Sequence, residues 1–267
     1  MGKTLCGRSV SDFGIGTWGI GGRSSPEPRN DVAQIEAIRY ALDRGVNVID
    51  TAEMYGSGHT EEIVGRAIKE YDREKLFIIT KVWNSHLSAP DLLRSAEQSL
   101  ERLGSSYVDL YLIHWPNPSV PIEETISAME KLVKDGKVRN IGVSNFSVKE
   151  LQEAMDSTKT CEISANQIEY NYGKREPELD IIPFCEKNNV DVIAYTPIMK
   201  GNVDSYDPLR KIGKKYNATP VQTALNYVMR RSYPIPKSSR KDHIDELLGA
   251  LDFRLSDLDY IELRDNQ

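Results

Sequence analysis

Val108-Asp109-Leu110-Tyr111-Leu112-Ile113-His114 is a short run, apolar at almost every position, that ends on a histidine. Apolar residues at both parities predict a strand buried on both faces, as in a parallel sheet covered by helices. The flanks agree. Before the run, Leu93, Ala96, Leu100 and Leu103 recur at three- to four-residue spacing, which predicts a helix over Leu92 to Leu103. After it, Ile122 to Val133 is helical in the same way. Working towards the N-terminus, strands are expected at Leu76 to Lys81, Val46 to Asp50 and Ser11 to Gly16. Between them lie a helix with Val32, Ile35, Ile38 and Leu42 on one face, stopped by Gly45, and a helix with Ile63, Val64, Ala67 and Ile68. Thr60 is expected to cap the latter, with Glu61 and Glu62 favouring its positive end.

Towards the C-terminus the alternation continues. Strands are expected at Arg139 to Ser144, Ile163 to Ile168, Val190 to Thr196 and Tyr233 to Pro236. Helical patterns fall at Lys149 to Met155, Glu178 to Asn188, Pro208 to Tyr216, Pro220 to Arg230, Asp242 to Ala250 and Ser256 to Arg264. Eight strand–helix units in this length give about 33 residues each, a comfortable βαβ period. Eight units favour a closed (β/α)8 barrel over a doubly wound sheet. No linker-like tract divides the chain, so residues 1–267 are expected to form a single barrel domain with a short C-terminal tail.

Composition narrows the class. The chain has 267 residues, of which 39% are hydrophobic and 28% charged. The 34 Lys and Arg against 40 Asp and Glu give a net charge of −6. An acidic chain without a dense basic block is a poor partner for nucleic acid. No apolar run approaches the ~20 residues of a membrane span, and Met1 to Cys6 lacks the apolar core of a signal peptide. Three widely spaced cysteines, Cys6, Cys161 and Cys185, contain no CxxC pair. They read as free thiols in a reducing compartment. A cytoplasmic protein without a resident metal is therefore expected.

Gly14-Ile15-Gly16-Thr17-Trp18-Gly19 fits the dinucleotide fingerprint G-x-G-x-x-G, but its context is wrong. The fingerprint needs a helix to open at its third glycine. Here Ile20 to Pro28 follows, rich in Gly, Ser and Pro. The stretch reads as a glycine-rich loop at a barrel mouth, carrying Trp18.

Chemistry in such barrels sits at the C-terminal ends of the strands. Asp50 ends the second strand and Tyr55 lies in its loop; Lys81 ends the third, and His114 the fourth. A free phenol has a pKa of about 10 and is a poor proton donor at neutral pH. A neighbouring ammonium, Lys81, is expected to lower it, Asp50 to hold that ammonium, and His114 to hydrogen-bond a substrate oxygen. This set suits protonation of a carbonyl oxygen while its carbon is reduced. All three tryptophans, Trp18, Trp83 and Trp115, follow strands one, three and four, and suit an aromatic pocket. His86 reads as a loop residue without a catalytic role.

The chain resembles the aldo-keto reductase superfamily nearly from end to end. Gly45-Val46-Asn47-Val48-Ile49-Asp50-Thr51-Ala52, then Tyr55-Gly56 and Glu62-Ile63-Val64-Gly65, are similar to its first signature. Ile141-Gly142-Val143-Ser144-Asn145-Phe146 is similar to the second, and Ile235-Pro236-Lys237-Ser238 to the third. The resemblance implies an NAD(P)H-dependent carbonyl reductase in which Asp50, Tyr55, Lys81 and His114 are the catalytic tetrad. It implies that Ser144, Asn145 and Gln167 hold the cofactor's carboxamide, and that Tyr195 stacks on the nicotinamide. Trp18, Trp83 and Trp115 would line the substrate pocket.

For the adenosine end the resemblance points to Lys237 and Ser238, with Arg240, His243 and Glu246 on the following helix. His243 stands where the family's pattern has an arginine for the 2′-phosphate, and Leu247 where an asparagine often meets adenine. Arg240 or Lys241 could replace that arginine. NADPH is the expected cofactor, with NADH left open. The expected partner is a small carbonyl compound, and the expected state a monomer. Little sequence follows Arg264, which would leave the pocket open on one side. The alternative is a regulatory module on the same barrel that binds NADPH and turns over slowly.

Overall fold

Eight parallel strands curl so that the first meets the last. The computed structural model describes residues 3–266. An antiparallel hairpin comes first, β1 (Lys3–Leu5) and β2 (Arg8–Val10). The sheet then runs β3 (Ile15–Gly16), β4 (Val48–Asp50), β5 (Phe77–Val82), β6 (Val108–Ile113), β7 (Val138–Ser144), β8 (Ile163–Glu169), β9 (Asp191–Tyr195) and β10 (Tyr233–Pro234), each parallel to the next. Helices α1 (Asp31–Asp43), α2 (His59–Ile68), α3 (Ala89–Leu103), α4 (Ile122–Lys134), α5 (Val148–Asp156) and α6 (Ile181–Lys187) alternate with the strands. Two helices, α7 (Asp207–Lys215) and α8 (Pro220–Val228), precede β10; α9 (Lys241–Leu248) and α10 (Asp257–Asp265) follow it.

Closure explains the glycines of the false fingerprint. Gly14 and Gly16 donate backbone hydrogen bonds to the carbonyls of Pro234 and Pro236, at 3.0 and 2.9 Å. A Cβ on Gly16 would lie 2.8 Å from the Ile235 carbonyl oxygen. The seam therefore needs a residue without a side chain, and no helix opens there.

Strand parity sets the mouth. The barrel's inner cluster contains Val48 of β4, Phe77 and Ile79 of β5, Leu110 and Leu112 of β6, Ala165 of β8, Ile193 of β9, and Tyr233 with Ile235 at β10. Successive side chains on a strand alternate faces. One step of two beyond the last of these residues comes Asp50, Lys81, His114, Gln167, Tyr195 and Lys237. Gly142 and Ser144 share that parity on β7. The floor is closed by Leu5 and Val10 of the hairpin, which pack into the same cluster. A larger cluster fills the space between strands and helices, including Leu92, Ala96, Leu100 and Leu103 of α3.

Several expectations need correction. The hairpin β1–β2 was not anticipated, and only Ile15–Gly16 of the expected first strand is paired. Val32 is 73% exposed rather than on the buried face of α1. Gly58 caps α2, not Thr60, whose buried hydroxyl bonds the Ile20 carbonyl. Glu61 turns inward to Thr80 and Arg102 instead of towards the helix end. The helix expected from Glu178 begins at Ile181, after a 3-10 turn over Glu176–Glu178.

Candidate active site

The ammonium of Lys81 is the hub of the mouth. Lys81 is fully buried and donates to Asp50 Oδ1 at 2.8 Å, to the Thr51 carbonyl at 2.8 Å and to Tyr55 Oη at 3.2 Å. Three acceptors use all three of its N–H groups. Because the Tyr55 oxygen accepts from Lys81, the phenol's own hydrogen is left to face elsewhere. Asp50 is fixed on its other side by Gln167, whose Nε2 donates to Oδ2 at 2.7 Å.

Tyr55 opens a tight turn, Tyr55–Gly58, braced by the glycine-rich loop. Gly56 N–H donates to the Arg23 carbonyl at 2.7 Å, and the Ser57 hydroxyl to that of Ser24 at 2.8 Å. Gly56 has a φ of +55°, and a Cβ there would lie 2.9 Å from the Gly21 carbonyl oxygen. The turn that aims Tyr55 therefore depends on a glycine.

Burial, and next the charge of Asp50, push Tyr55 well above the ordinary phenol value. This reverses the expected lowering by Lys81. The ammonium is neutralised at close range by Asp50, so desolvation decides the direction. Burial likewise pulls Lys81 down, opposed by Asp50. His114 is lowered to about 2 by burial and then by Lys81, so its imidazole is neutral at physiological pH. Its Nδ1 is buried without a partner.

Two indoles flank these groups. The ring of Trp18 meets Tyr55 edge-on at 4.9 Å, and that of Trp83 meets His114 at 5.2 Å; the Tyr55 and His114 rings are 5.6 Å apart. Trp18 remains 42% exposed, open to a ligand. Trp115 is equally exposed, on the far side of His114 in sequence.

A second network continues round the mouth. Asn145, with a φ of +63°, accepts from the Tyr195 hydroxyl at 2.8 Å and donates to the His114 carbonyl at 3.1 Å and to Ser144 Oγ at 3.0 Å. Ser144 donates to the Gln167 carbonyl at 3.0 Å. Ser144, Asn145, Gln167 and Tyr195 are thus linked to Asp50 and His114 through hydrogen bonds.

The residues expected at the adenosine end separate. Lys237 is exposed, and partial desolvation, then the like charge of Arg23, lowers its pKa. Among the described residues neither Lys237 nor Arg23 has an ion-pair partner. Two cations without a carboxylate, beside a glycine-rich loop, fit the phosphates of a dinucleotide. Ser238 is buried and bonds to the backbone of Arg240. Arg240 itself pairs with Asp242, and Lys241 lies 3.9 Å from Glu36. His243 is exposed. Glu246 accepts from Thr219 Oγ1 at 2.9 Å, and Leu247 is packed in the core under α1.

Arg23 and Glu53 were missed. Arg23 lies in the loop whose glycines drew attention to the wrong fold. Glu53 is the one charged residue in the loop 51–58, a signal that could have marked it. Its carboxylate is buried and accepts from Trp83 N–H at 2.6 Å and His86 Nδ1 at 3.0 Å.

Fold and mouth define an α/β-barrel enzyme whose candidate site lies at the C-terminal ends of its strands. The chain belongs to the aldo/keto reductase family, whose profile matches residues 12–265. It is 42% identical to the thermostable aldo-keto reductase Tm1743, solved with the inhibitor epalrestat, with a TM-score of 0.96 and full coverage of both chains. It is 33% identical to an aldo/keto reductase from Klebsiella pneumoniae solved with NADP and acetate, with a TM-score of 0.89, covering 99% of this chain and 95% of that one. Among curated proteins, it is 37% identical over 257 residues to glyoxal reductase of Bacillus subtilis (strain 168), covering 94% of this chain and 87% of that protein. Among the described residues, no helix is long and apolar enough to cross a membrane.

Proposed function

We infer that this protein is an NADP(H)-dependent oxidoreductase that reduces the carbonyl group of aldehydes or ketones to an alcohol. The observation that carries the site assignment is the hydrogen bond from Lys81 to Tyr55 Oη, which leaves the phenol's proton free next to the His114 ring, 5.6 Å away between centroids. When bound, the cofactor would supply a hydride for the carbonyl carbon. The chain's own residues do the rest.

His114 is neutral and orients the carbonyl oxygen. Leaving a lone pair unpaired in the interior costs less than leaving an N–H unpaired, so the proton sits on Nε2 and Nδ1 stays bare. Tyr55 donates its proton to the same oxygen as negative charge develops there. Its raised pKa keeps it protonated until that moment. The Lys81 ammonium then stabilises the phenolate left behind, and Asp50 keeps the ammonium charged. Proton return from solvent resets the site; in the alcohol-oxidising direction Tyr55 takes the proton back.

Ser144, Asn145, Gln167 and Tyr195 would hold the nicotinamide end, and Lys237 with Arg23 and Ser238 the phosphates. Two free cations favour NADPH over NADH. Every assigned group comes from one barrel, which supports action as a monomer and as a single domain over residues 1–267. Three unpaired thiols support a reducing, cytoplasmic setting. The relative named glyoxal reductase puts small dicarbonyls first in a substrate screen.

Tyr55→Phe tests the reading. NADPH oxidation with methylglyoxal or a better substrate should fall by about 10²–10⁴, with NADPH binding by fluorescence unchanged. Wild-type turnover in this variant would overturn the assignment.

A further inference from the structure

The Trp83–His86 turn carries the indole that stands against His114. Its backbone is held from the opposite loop by one buried atom. Glu53 Oε1 accepts both the Trp83 N–H at 2.6 Å and His86 Nδ1 at 3.0 Å. His86 closes the turn by donating its own N–H to the Trp83 carbonyl at 2.9 Å, and its Nδ1 also lies 3.3 Å from Ser95 Oγ. Glu53 N–H reaches the Lys81 carbonyl at 3.4 Å. Two residues further on is Tyr55. The carboxylate side chain is 8% exposed, while the imidazole it holds is 48% exposed.

We propose that Glu53 is a positioning residue that pins the Trp83 turn to the tyrosine loop. The pin fixes where Trp83 stands relative to Trp18 across the Tyr55 and His114 rings, and so selects carbonyl compounds that carry a flat apolar group. The reasoning is geometric. Trp18 packs against Tyr55, on the loop after β4, and Trp83 against His114, so the two indoles keep a set separation only if the Tyr55 loop and the Trp83 turn are tied. Glu53 is the tie between the loop after β4 and the loop after β5. A small carbonyl compound touches Tyr55 and His114 without using the indoles, and should not sense the pin. A flat ring that must fit between two walls should sense it, because each loosened wall adds an entropic cost to binding. This inference rests on the carbonyl-reductase reading above.

The test compares Glu53→Leu, which has no acceptor, with Glu53→Gln, which keeps one. For Glu53→Leu, KM for 4-nitrobenzaldehyde should rise about tenfold, as expected for loss of a buried acceptor serving two donors, with kcat changed less than about threefold. KM for methylglyoxal and the NADPH dissociation constant should stay within about twofold, and Glu53→Gln should stay within about twofold throughout. Hydrogen exchange across residues 82–87 of the ligand-free protein should speed up about tenfold in Glu53→Leu and not in Glu53→Gln. If Glu53→Leu does not fold, His86→Leu removes one of the two donors at a half-exposed position and should speed exchange about threefold.

Unchanged exchange in Glu53→Leu, or in His86→Leu where that variant replaces it, overturns the proposal, as do equal effects of Glu53→Leu on both aldehydes. So does a Gln variant as impaired as the Leu variant, since charge rather than the acceptor would then be the cause. A wild-type enzyme without carbonyl turnover would instead overturn the oxidoreductase reading, while the exchange measurement still judges the pin.

Discussion

Both ends of the barrel pair a buried carboxylate with cationic charge, one ammonium at the mouth and several arginines at the floor, and the two clusters differ in what they leave over. At the floor, Asp109 is fully buried. It takes Arg8 at 2.6 Å, Arg73 at 2.7 Å and the Ile78 N–H at 2.9 Å, with Arg139 3.7 Å away. Tyr107 lends its ring, with the guanidiniums of Arg73 and Arg139 each 4.1 Å from its centroid. Every charge there is directed at another part of the protein. At the mouth, a single ammonium is divided between an acid, a carbonyl and a phenol, so one phenolic proton and one imidazole remain for an incoming molecule. The ingredients are alike; the surplus of hydrogen-bonding capacity is what sets the mouth apart as the candidate site. The floor cluster fastens the hairpin β1–β2, through Arg8, under the barrel.

The largest effect should come from Lys81→Met, which strikes the mouth twice. Removing one partner of a buried pair strands Asp50 and should cost about 3–5 kcal/mol in urea unfolding. Turnover of the folded fraction should also fall by about 10²–10⁴, because nothing then stabilises the phenolate. Stability loss with normal turnover would make the mouth a structural cluster like the floor. Asp109→Asn is the matching test at the other end. Arg8 and Arg73 are partly exposed and stay hydrated when their partner is lost, so the cost should be about 3 kcal/mol, the low end for such pairs. kcat and the KM for NADPH should not change. A drop in kcat per folded molecule would break the division between the two ends.

These two ends were not equally legible in the sequence. Asp50, Lys81 and His114 follow apolar strands whose alternation was readable, and a step of two carries each from the core to the mouth. The floor was invisible, because Arg8 sits in a hairpin too short and polar to show a period, and its partner is about a hundred residues away in the chain. Thr60 looked like a cap because caps are local, yet its hydroxyl is claimed by Ile20 across a loop. Val32 fitted the helical period of α1 but falls outside the stripe that packs. The upward shift of Tyr55 could not be read either, since it follows from burial and from Asp50 cancelling Lys81. Arg23 and Glu53 act through contacts that only the folded loops create.

Acid should weaken the mouth through His114. The folded pKa of His114, about 2, lies below its ordinary value of 6.5. The unfolded chain therefore binds a proton that the folded one refuses. Stability is complete above about pH 6.5 and is lost as pH falls towards 2, by at most about 1.4 kcal/mol per pH unit from this group. His59 moves the other way: burial lowers it, but its bonds to Glu62 and Asp31 raise it overall. Comparison with His114→Gln removes that background. The urea midpoint of the wild type should fall more between pH 7 and pH 5.5 than that of the variant. Parallel curves would mean that His114 is solvated and charged in acid.

The smallest effect concerns the cations that lack a carboxylate. At the floor each arginine is matched to Asp109, whereas among the described residues Lys237 and Arg23 at the mouth have no acidic partner, and partial burial, then the like charge of Arg23, lowers the affinity of Lys237 for a proton. Such a pair is under mild repulsion that an anion relieves, so part of the phosphate affinity is the removal of that repulsion. Lys237→Ala should raise the KM for NADPH about tenfold while leaving kcat, and the KM for NADH, within about twofold, as expected for one charge-assisted contact at an exposed site. The NADPH effect should shrink in 0.5 M salt, since exposed charges are screened over about 5 Å or less at that strength. Equal losses for NADPH and NADH would place Lys237 on phosphates the two cofactors share. No loss for either would leave Arg23 as the residue that discriminates them.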